Sequence, residues 1–375
     1  IFHRFYPAYL DQYSPSPVQA KVAHNIMNCK TGAYGANVCV CEDCGFVQIH
    51  YNSCRNRCCP MCQAVPKEMW MDARREDVLD APYFHLVFTV PDILNPVIYS
   101  NQRLLYDALY HAASSTISEL TADPKHLGAK VGYICILHTW GSEMNFHPHI
   151  HTILLGGGLA SNNQWKDNGE NFFLPIRVIS KMFRGKYLEE LKRLWEEDKL
   201  VFHGTAEKFR NHYTFKELLD SCYGMDWIPH CKKTFNGAQT VIKYLGKYTH
   251  RIAVSNHRIV RMDDDTVTFL VKDYRNEGQW KELTISGVEF VRRFLMHVPP
   301  RRFVRIRHYG LLCSRTKSQK LTLCRNLLGC KKYLSKLRDM EMPEILEHLY
   351  GIKVCVCKAC GGHLGKPQMR MPLRC

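Results

Sequence analysis

Hydrophobic and polar residues recur along the chain with two different periods, which predicts a protein that mixes helices and strands. Two mostly apolar runs, residues 84–90 and 131–139, are typical of strands. Between them, from about Val97, leucines and alanines recur at helical spacing. A later stretch places Leu188, Leu191 and Leu194 on one helical face. We therefore expect helices packed against a sheet.

Residues 236–310 show a second alternation of helix, hairpin and helix. The runs 258–261 and 266–271 flank an acidic turn at 262–265, which predicts a β-hairpin. Ser286 and Glu289 form a capping-box signature that opens a helix through Met296, and the prolines at 299–300 end it. Strands separated by helices and a hairpin predict an α+β centre, which we expect to be flanked by a small metal module at each end.

Charge narrows the class of partner. The 375 residues contain 51 Lys and Arg against 35 Asp and Glu, a formal charge of +16. This surplus favours a polyanion, with nucleic acid before an anionic membrane surface. No apolar run approaches the roughly 18 residues of a spanning helix. The residues after Ile1 contain neither an initiator Met nor an apolar signal core, which leaves open that the chain is a fragment. We expect a cytoplasmic, nucleoid-associated protein.

The cysteines favour metal binding over disulfides. There are 18, and eight lie between Cys29 and Cys62, in a long chain without an export signal. Two C-x-x-C pairs with 14 residues between them predict one structural four-thiolate zinc site. Buried free thiols are the alternative. The candidate zinc ligands are Cys41, Cys44, Cys54, Cys58, Cys59 and Cys62. Of these, Cys54 and Cys58 could replace a ligand of the two pairs or could build a second site with Cys29 and Cys39.

A second cysteine group lies near the end of the chain. Cys357 and Cys360 form another C-x-x-C pair and are tentative zinc ligands, although their partner pair stays open. In the first group, Arg55 and Arg57 lie between candidate ligands, so we expect that module to contact phosphate. Solvated charges are the simpler interpretation of these arginines.

The most informative stretch is a run of alternating histidines. In a strand, His149 and His151 project to one face, while Ile150 points into the opposite layer. Two imidazoles on one face leave room for a third ligand and for substrate oxygens, as a catalytic cation requires. Candidates for that third ligand are Glu143, Asn145, His138 and Gln239. The alternatives are histidines on a half-exposed strand and a histidine-triad nucleotide hydrolase.

A helical pattern over residues 236–251 carries two tyrosines. Tyr244 and Tyr248 are four residues apart and therefore lie on one ridge, with Lys243 and Lys247 on the adjacent ridge, well placed for phosphate. In isolation such tyrosines are usually core or stacking residues. The paired histidines favour a catalytic role for them.

Four segments occur in an order found in one known group: 52–63, 146–151 followed by the glycines 156–158, 244–251 and 305–312. Together they resemble the rolling-circle transposases of the insertion sequence ninety-one family, which are HUH-type single-strand endonucleases with an N-terminal zinc domain. The resemblance covers nearly the whole chain. One position differs, because the family commonly has His where this chain has Cys58.

The resemblance implies an antiparallel ferredoxin-like or RRM-like HUH endonuclease core. It implies that His149 and His151 bind catalytic Mg²⁺ or Mn²⁺, and that Tyr244, and second Tyr248, are nucleophiles that form a 5′-phosphotyrosine and leave a free 3′-OH. The expected domains are a zinc-ribbon-like module (1–78), an HUH/tyrosine transposase catalytic domain (79–312) and a helical, Cys-rich C-terminal segment (313–375).

The expected partner is DNA, mainly single-stranded transposon ends and target. Six arginines lie between Arg292 and Arg307, interleaved with aromatic residues, which is typical of single-strand binding. A solvated helix end is the simpler interpretation. A replication initiator or relaxase and a non-catalytic zinc-dependent DNA-binding protein remain alternative functions. The candidate DNA contacts are Lys243, Lys247, Arg251, Arg301, Arg302, Arg305 and Arg307.

Overall fold

The computed structural model describes residues 1–167, 174–227, 229–235, 241, 246, 253–273 and 276–370, with the backbone alone at 232–235 and 370. The helices within these ranges are α1 (Phe2–Leu10), α2 (Pro17–Met27), α3 (Ala64–Arg75), α4 (Asn95–Ser100), α5 (Gln102–Ala122), α6 (Ile176–Glu196), α7 (His212–Gly224), α8 (Gly287–Met296), α9 (Lys317–Leu328) and α10 (Met342–Tyr350). The strands are β1 (Ala36–Val40), β2 (Val47–Tyr51), β3 (Tyr83–Thr89), β4 (Lys130–Trp140), β5 (Phe146–Leu159), β6 (Trp165–Asp167), β7 (His230–Phe235), β8 (Ile259–Met262), β9 (Thr266–Asp273), β10 (Gln279–Ser286), β11 (Ile306–Gly310) and β12 (Gln368–Arg370).

The largest sheet is antiparallel, with the strand order β11-β4-β5-β3-β7 and with β6 added to the end of β5. Its strands β3 and β4 cover the two apolar runs expected to be strands. The glycines 156–158 let the neighbouring backbones approach closely. A Cβ added to Gly158 would lie 2.4 Å from the carbonyl oxygen of Lys130.

The two faces of this sheet have different partners because successive side chains of a strand alternate. On one face, Ile150 and Leu154 join the main hydrophobic core, which α5 and α6 cover. On the other face, Ile136 and Ile153 join a smaller cluster with residues of the α3–β3 connection and α9. This second face also carries the histidines. Val241 is buried in its cluster.

A second antiparallel sheet, β10-β9-β8, packs with α8 and the N-terminal helices α1 and α2. The expected hairpin is confirmed, since β8 and β9 pair antiparallel. The expected capping of α8 is also present, because the Ser286 hydroxyl accepts a hydrogen bond from the amide of Glu289. Within the described residues, no helix is both long and apolar enough to cross a bilayer.

The third sheet joins the two ends of the chain. Strand β1 pairs with β2 on one side and with β12 on the other, so that Val38 lies opposite Gln368. The cysteine clusters expected near both ends of the chain are present, and the two terminal segments share one sheet; the division into domains stays a prediction. The α+β class with antiparallel sheets is confirmed, whereas the ferredoxin-like or RRM-like topology stays a prediction.

Candidate functional site

Three histidines converge on the second face of the large sheet. His149 and His151 are two residues apart on β5, and His138 on β4 lies directly opposite His149 in the strand register. All three are buried, and each offers one ring nitrogen within 4.8 Å of the others. Of the proposed third ligands, His138 joins the pair, Glu143 and Asn145 do not, and Gln239 is outside the described residues.

Fixed hydrogen bonds orient two of the rings. The Nδ1–H of His149 donates to the carbonyl oxygen of His147 at 2.6 Å, because a carbonyl can only accept. Its Nε2 therefore presents a lone pair, and this atom lies 3.0 Å from Nε2 of His151. Behind His151, its Nδ1 lies 2.9 Å from Nε2 of His85 on β3, and these two rings stack at 14°.

The rings of His85, His149 and His151 are held neutral. Burial lowers the pKa of His149 to about 3 and the pKa of His85 to about 4. Burial also lowers the pKa of His151 well below its ordinary value, and the neighbouring histidines add to this effect. Neutral imidazoles are the form that binds metal. The site is therefore ready for a cation at neutral pH.

The geometry fits a metal ion. Nitrogen ligands at about 2.1 Å from one cation are separated by about 3.0–3.4 Å, depending on the coordination angle. The 3.0 Å between the Nε2 atoms of His149 and His151 falls in this range. Without a cation, an Nε2–H of His151 can donate to the Nε2 lone pair of His149 at this distance, and a cation would take the place of that proton. The three imidazoles leave further positions around such a cation to oxygen ligands.

An arginine-lined cleft adjoins the histidines. The His138 ring stacks on Trp140 at 4.4 Å between centroids, and the Arg305 guanidinium lies 5.8 Å from the Trp140 ring. Beyond Arg305, two adjoining open clefts of about 360 and 310 Å³ share Arg57 and Arg302 in their walls. The larger is lined by Arg57, Gln63, Arg302, Phe303, Val304, Arg305 and Ile306.

The cleft lies between the cysteine-rich N-terminal region and the large sheet. Arg57 joins the two, since its guanidinium donates to the carbonyl oxygens of Phe303, at 2.5 Å, and Pro300, at 3.2 Å. Arg302 is exposed and has a left-handed φ of 59°, a conformation that costs energy for a residue with a Cβ. Arg301 is also exposed on this rim.

Other arginines of the expected DNA-binding group have protein partners. Arg292 and Arg293 both pair with Glu289, at 2.6 and 2.7 Å. Arg307 pairs with Asp107, and its guanidinium lies 4.0 Å from the Tyr110 ring. These three guanidinium groups are therefore engaged in ion pairs within the protein. The basic surface of this segment is therefore smaller than the sequence suggested.

The proposed nucleophiles Tyr244 and Tyr248 lie outside the described residues. Three of the expected DNA contacts, Lys243, Lys247 and Arg251, also lie outside them. The described neighbours Val241 and Gly246 are helical. A Cβ added to Gly246 would lie 2.0 Å from the sulfur of Met71 on α3, so the chain passes close to this side chain. These roles stay predictions.

The cysteines form two groups of four, and the expected pairing is wrong. Cys59 and Cys62 lie with Cys29 and Cys54, whereas Cys41 and Cys44 lie with the C-terminal pair Cys357 and Cys360. In the first group, the Cys62 sulfur is 3.3 Å from that of Cys29 and 3.6 Å from that of Cys54. Four sulfurs around zinc lie about 3.8 Å apart, so this group fits the ion.

Cys58 belongs to neither group, which corrects its assignment as a zinc ligand. Consecutive side chains diverge, so that Cys59 joins the sulfur group and Cys58 enters the hydrophobic cluster of Val22 and Val298. Burial raises the pKa of Cys58 to about 11, which keeps it a thiol. Its amide donates to the side chain of Asn56 at 2.8 Å.

Two features escaped sequence analysis. His85 is a lone histidine in an apolar strand, and nothing near it in the sequence connects it with His149 and His151. The pairing of Cys41 and Cys44 with Cys357 and Cys360 did leave a signal, because both pairs are followed by glycine, at Gly45 and Gly361. Similar half-sites in one chain suggest a common ion.

Comparison with solved structures gives a weak likeness to the conjugative relaxase TrwC in complex with oriT DNA. The metal-free and metal-bound structures align with 44% of this chain and with 71% and 69% of theirs, at 12% and 14% identity. Both have a TM-score of 0.25. A likeness of this size carries no argument about fold or function.

Sequence comparisons are decisive. Residues 132–320 match the family model described as putative transposase, and residues 1–90 match that of a transposase zinc-binding domain. The putative transposase y4qJ of Sinorhizobium fredii (strain NBRC 101917 / NGR234) is 40% identical over 96% of this chain and 92% of its own length. The transposase for insertion sequence element IS801 of Pseudomonas savastanoi pv. phaseolicola is 30% identical over 81% of this chain and 72% of its own length. The chain therefore belongs to the family of insertion sequence transposases that carry the IS91 zinc-binding domain.

Proposed function

We propose that this transposase cleaves and rejoins single-stranded DNA through a 5′-phosphotyrosine intermediate, in a rolling-circle mode of transposition. The observation that carries the proposal is the convergence of His138, His149 and His151 on one side of the sheet, with the His149 ring oriented by its hydrogen bond to the His147 carbonyl. Such a set would hold a divalent cation, and an arginine cleft adjoins it.

A cation bound by these histidines would neutralise charge on the scissile phosphate and orient its oxygens. Three imidazoles favour Mn²⁺ over Mg²⁺, because Mg²⁺ prefers oxygen ligands. The carbonyl of His147 and the ring of His85 maintain the orientation of the two β5 histidines. Hydrogen bonds of this kind fix the tautomer of metal-binding histidines.

Tyr244 is the proposed first nucleophile and Tyr248 the second. The phenolate oxygen forms a bond to phosphorus while the bond from phosphorus to the 3′ oxygen breaks, and that oxygen leaves as a 3′-OH after it takes up a proton. Val241, three residues before Tyr244, supports this assignment, because it is buried with Ile136 and Ile153 on the face that carries the histidines.

The arginine cleft would hold the DNA backbone. Arg302 and Arg301 are exposed on its rim, and Arg305 lies in its wall. The Arg305 guanidinium is 5.8 Å from the Trp140 ring, which stacks on His138. Arginines on phosphates beside aromatic rings that stack on unpaired bases are typical of single-strand binding. We expect Lys243, Lys247 and Arg251 to add to this surface.

In this proposal residues 79–312 form the catalytic domain, the N-terminal residues 1–78 hold zinc, and residues 313–375 form a C-terminal segment. The protein would act in the cytoplasm, at the nucleoid. Its DNA substrates would be single-stranded transposon ends and target.

The test is a covalent adduct assay with labelled single-stranded transposon-end DNA and Mn²⁺, resolved on a denaturing gel. Tyr244→Phe removes one oxygen and almost no volume, so lost adduct reports nucleophilicity. If one tyrosine reacts, one single variant is inactive and the other resembles wild type; if both react, each keeps partial activity. Adduct formed by the Tyr244→Phe/Tyr248→Phe protein would refute the mechanism. DNA binding without any adduct in the wild-type protein would favour a non-catalytic DNA-binding role.

A further inference from the structure

Two turns at opposite ends of the chain have the same backbone structure. In each, a glycine after the second cysteine donates its amide to the carbonyl of the first cysteine: Gly45 to Cys41 at 3.1 Å, and Gly361 to Cys357 at 3.0 Å. Both glycines have a left-handed φ, 70° and 78°. The amide of the first cysteine also bonds forward, at 2.9 and 2.8 Å, to the carbonyls of Phe46 and Gly362.

This conformation presents two sulfurs on one side of each turn, and the turns face each other. The Cys41 sulfur lies 3.5 Å from that of Cys360, and the Cys44 sulfur lies 3.8 Å from that of Cys357. A tetrahedron of thiolates at about 2.3 Å from zinc has edges of about 3.8 Å. Backbone amides of Ala359 and Gly362 donate to the two C-terminal sulfurs, which suits thiolates.

Backbone hydrogen bonds bring the two turns together, but few hydrophobic side chains are buried around them. The amide of Glu42 donates to the carbonyl of His363 at 3.1 Å, and the amide of Gly365 donates to that of Val40 at 2.9 Å. The buried cluster here has four members, Cys39, Cys41, Cys357 and Leu364. On the adjoining strands Val40, Val47 and Ile49 are exposed. So small a core does not hold a fold alone, and a structural metal commonly compensates.

We propose that Cys41, Cys44, Cys357 and Cys360 bind a second structural zinc ion, which joins the two ends of the chain. The first zinc would lie with Cys29, Cys54, Cys59 and Cys62. Neither family match extends to the C-terminal pair, since the matches end at residues 90 and 320. The proposal does not depend on the cleavage reaction, because a closed four-thiolate site has no open position for substrate.

The proposed zinc ion would fix the position of the C-terminal arm, which we define as the described residues after α9. Before reaching the zinc turn, the arm is bound to α3, where the Asp72 carboxylate accepts from the Ser335 hydroxyl at 2.6 Å and from the Leu337 amide at 2.9 Å. Loss of the second zinc should therefore release the arm beyond α10 and unpair β12 from β1. The region attached to Asp72 should stay in place.

Zinc content of the full-length protein tests the proposal. After removal of weakly bound metal, wild type should contain two zinc ions, and Cys357→Ser/Cys360→Ser should contain one. Cys41→Ser/Cys44→Ser should also contain one. The decisive variant combines all four substitutions: a shared site predicts that it still contains one zinc ion, whereas separate sites predict none. Cys313→Ser/Cys355→Ser, at two exposed cysteines outside both groups, is the matched control and should keep two.

A measurement on wild type covers the case in which the variants do not fold. Replacement of zinc by ¹¹³Cd should give two cadmium resonances, both in the region of four-sulfur coordination. Limited proteolysis should cut residues 351–375 of Cys357→Ser/Cys360→Ser much faster than those of the control. One zinc ion in wild type, a single sulfur-type resonance, or a C-terminal pair variant that keeps two zinc ions would each overturn the proposal.

Discussion

His85 does not reach the proposed cation, yet its ring should control how tightly His151 binds it. The Nε2 of His85 lies 2.9 Å from Nδ1 of His151. If Nε2 of His151 faces the cation, its Nδ1 carries the proton and donates to His85. The low pKa of His85, about 4 because of burial, keeps that ring neutral and able to accept at pH 7.

His85→Phe keeps a stacked ring beside His151 but removes the acceptor. The His151 Nδ1–H then loses this acceptor, and the loss of one partner of a buried hydrogen bond costs about 1–3 kcal/mol. Loss of the hydrogen bond behind a metal-binding histidine typically weakens metal binding by about 10–100-fold, or about 1.4–2.7 kcal/mol. The two ranges agree, so we expect the Mn²⁺ dissociation constant to rise by one to two orders of magnitude.

Calorimetric titration of the zinc-loaded protein with Mn²⁺ measures this effect without cleavage. His85→Gln is the matched control, because a Gln amide oxygen can replace the imidazole Nε2 as acceptor and should recover most of the affinity. Single-strand binding in EDTA and zinc content should be unchanged in both variants. Unchanged Mn²⁺ affinity in His85→Phe, or equal losses in the Phe and Gln variants, would refute the positioning role.

Three further predictions follow from the same structure. His149→Ala should abolish Mn²⁺-dependent cleavage and leave single-strand binding in EDTA within about twofold, which a gel-shift titration checks; a parallel loss of binding would contradict it. Arg302→Ala should lower the slope of log affinity against log salt by about 0.7, the value for one single-strand phosphate, whereas the exposed Arg210→Ala should not. His297 has its pKa lowered to about 4 by burial, below its unfolded value of 6.5, so unfolding takes up a proton between these values. As the pH falls from 6.5 towards 4, the free energy of unfolding should therefore decrease by up to about 1.4 kcal/mol per pH unit more in the wild-type protein than in His297→Gln. Urea unfolding at several pH values measures this difference, and equal slopes in the two proteins would exclude it.

Local patterns were sufficient where a few neighbouring residues determine the structure. The alternation around Ile150 correctly placed His149 and His151 on one face, because the strand period is a property of the backbone. The capping of α8 by Ser286 and the hairpin of β8 and β9 were predictable for the same reason. In each case the interacting groups are close in sequence.

Pairing over long distances required the folded chain. His138 became the third histidine because the β4–β5 register places it opposite His149, and His85 reached His151 through the neighbouring pairing of β3. The same was true of Arg307, which sequence analysis had assigned to DNA and which pairs with Asp107, 200 positions away in the chain.

The cysteines show the physical reason most directly. A C-x-x-C-G turn forms from local backbone geometry, so each half-site is visible in the sequence. Which two turns share an ion depends on where the rest of the fold carries them, and Cys44 and Cys357 meet although 313 positions separate them. Metal coordination constrains distances between atoms and does not depend on the length of chain between ligands. The next C-x-x-C pair in the sequence, Cys59 and Cys62, was therefore the wrong partner for Cys41 and Cys44.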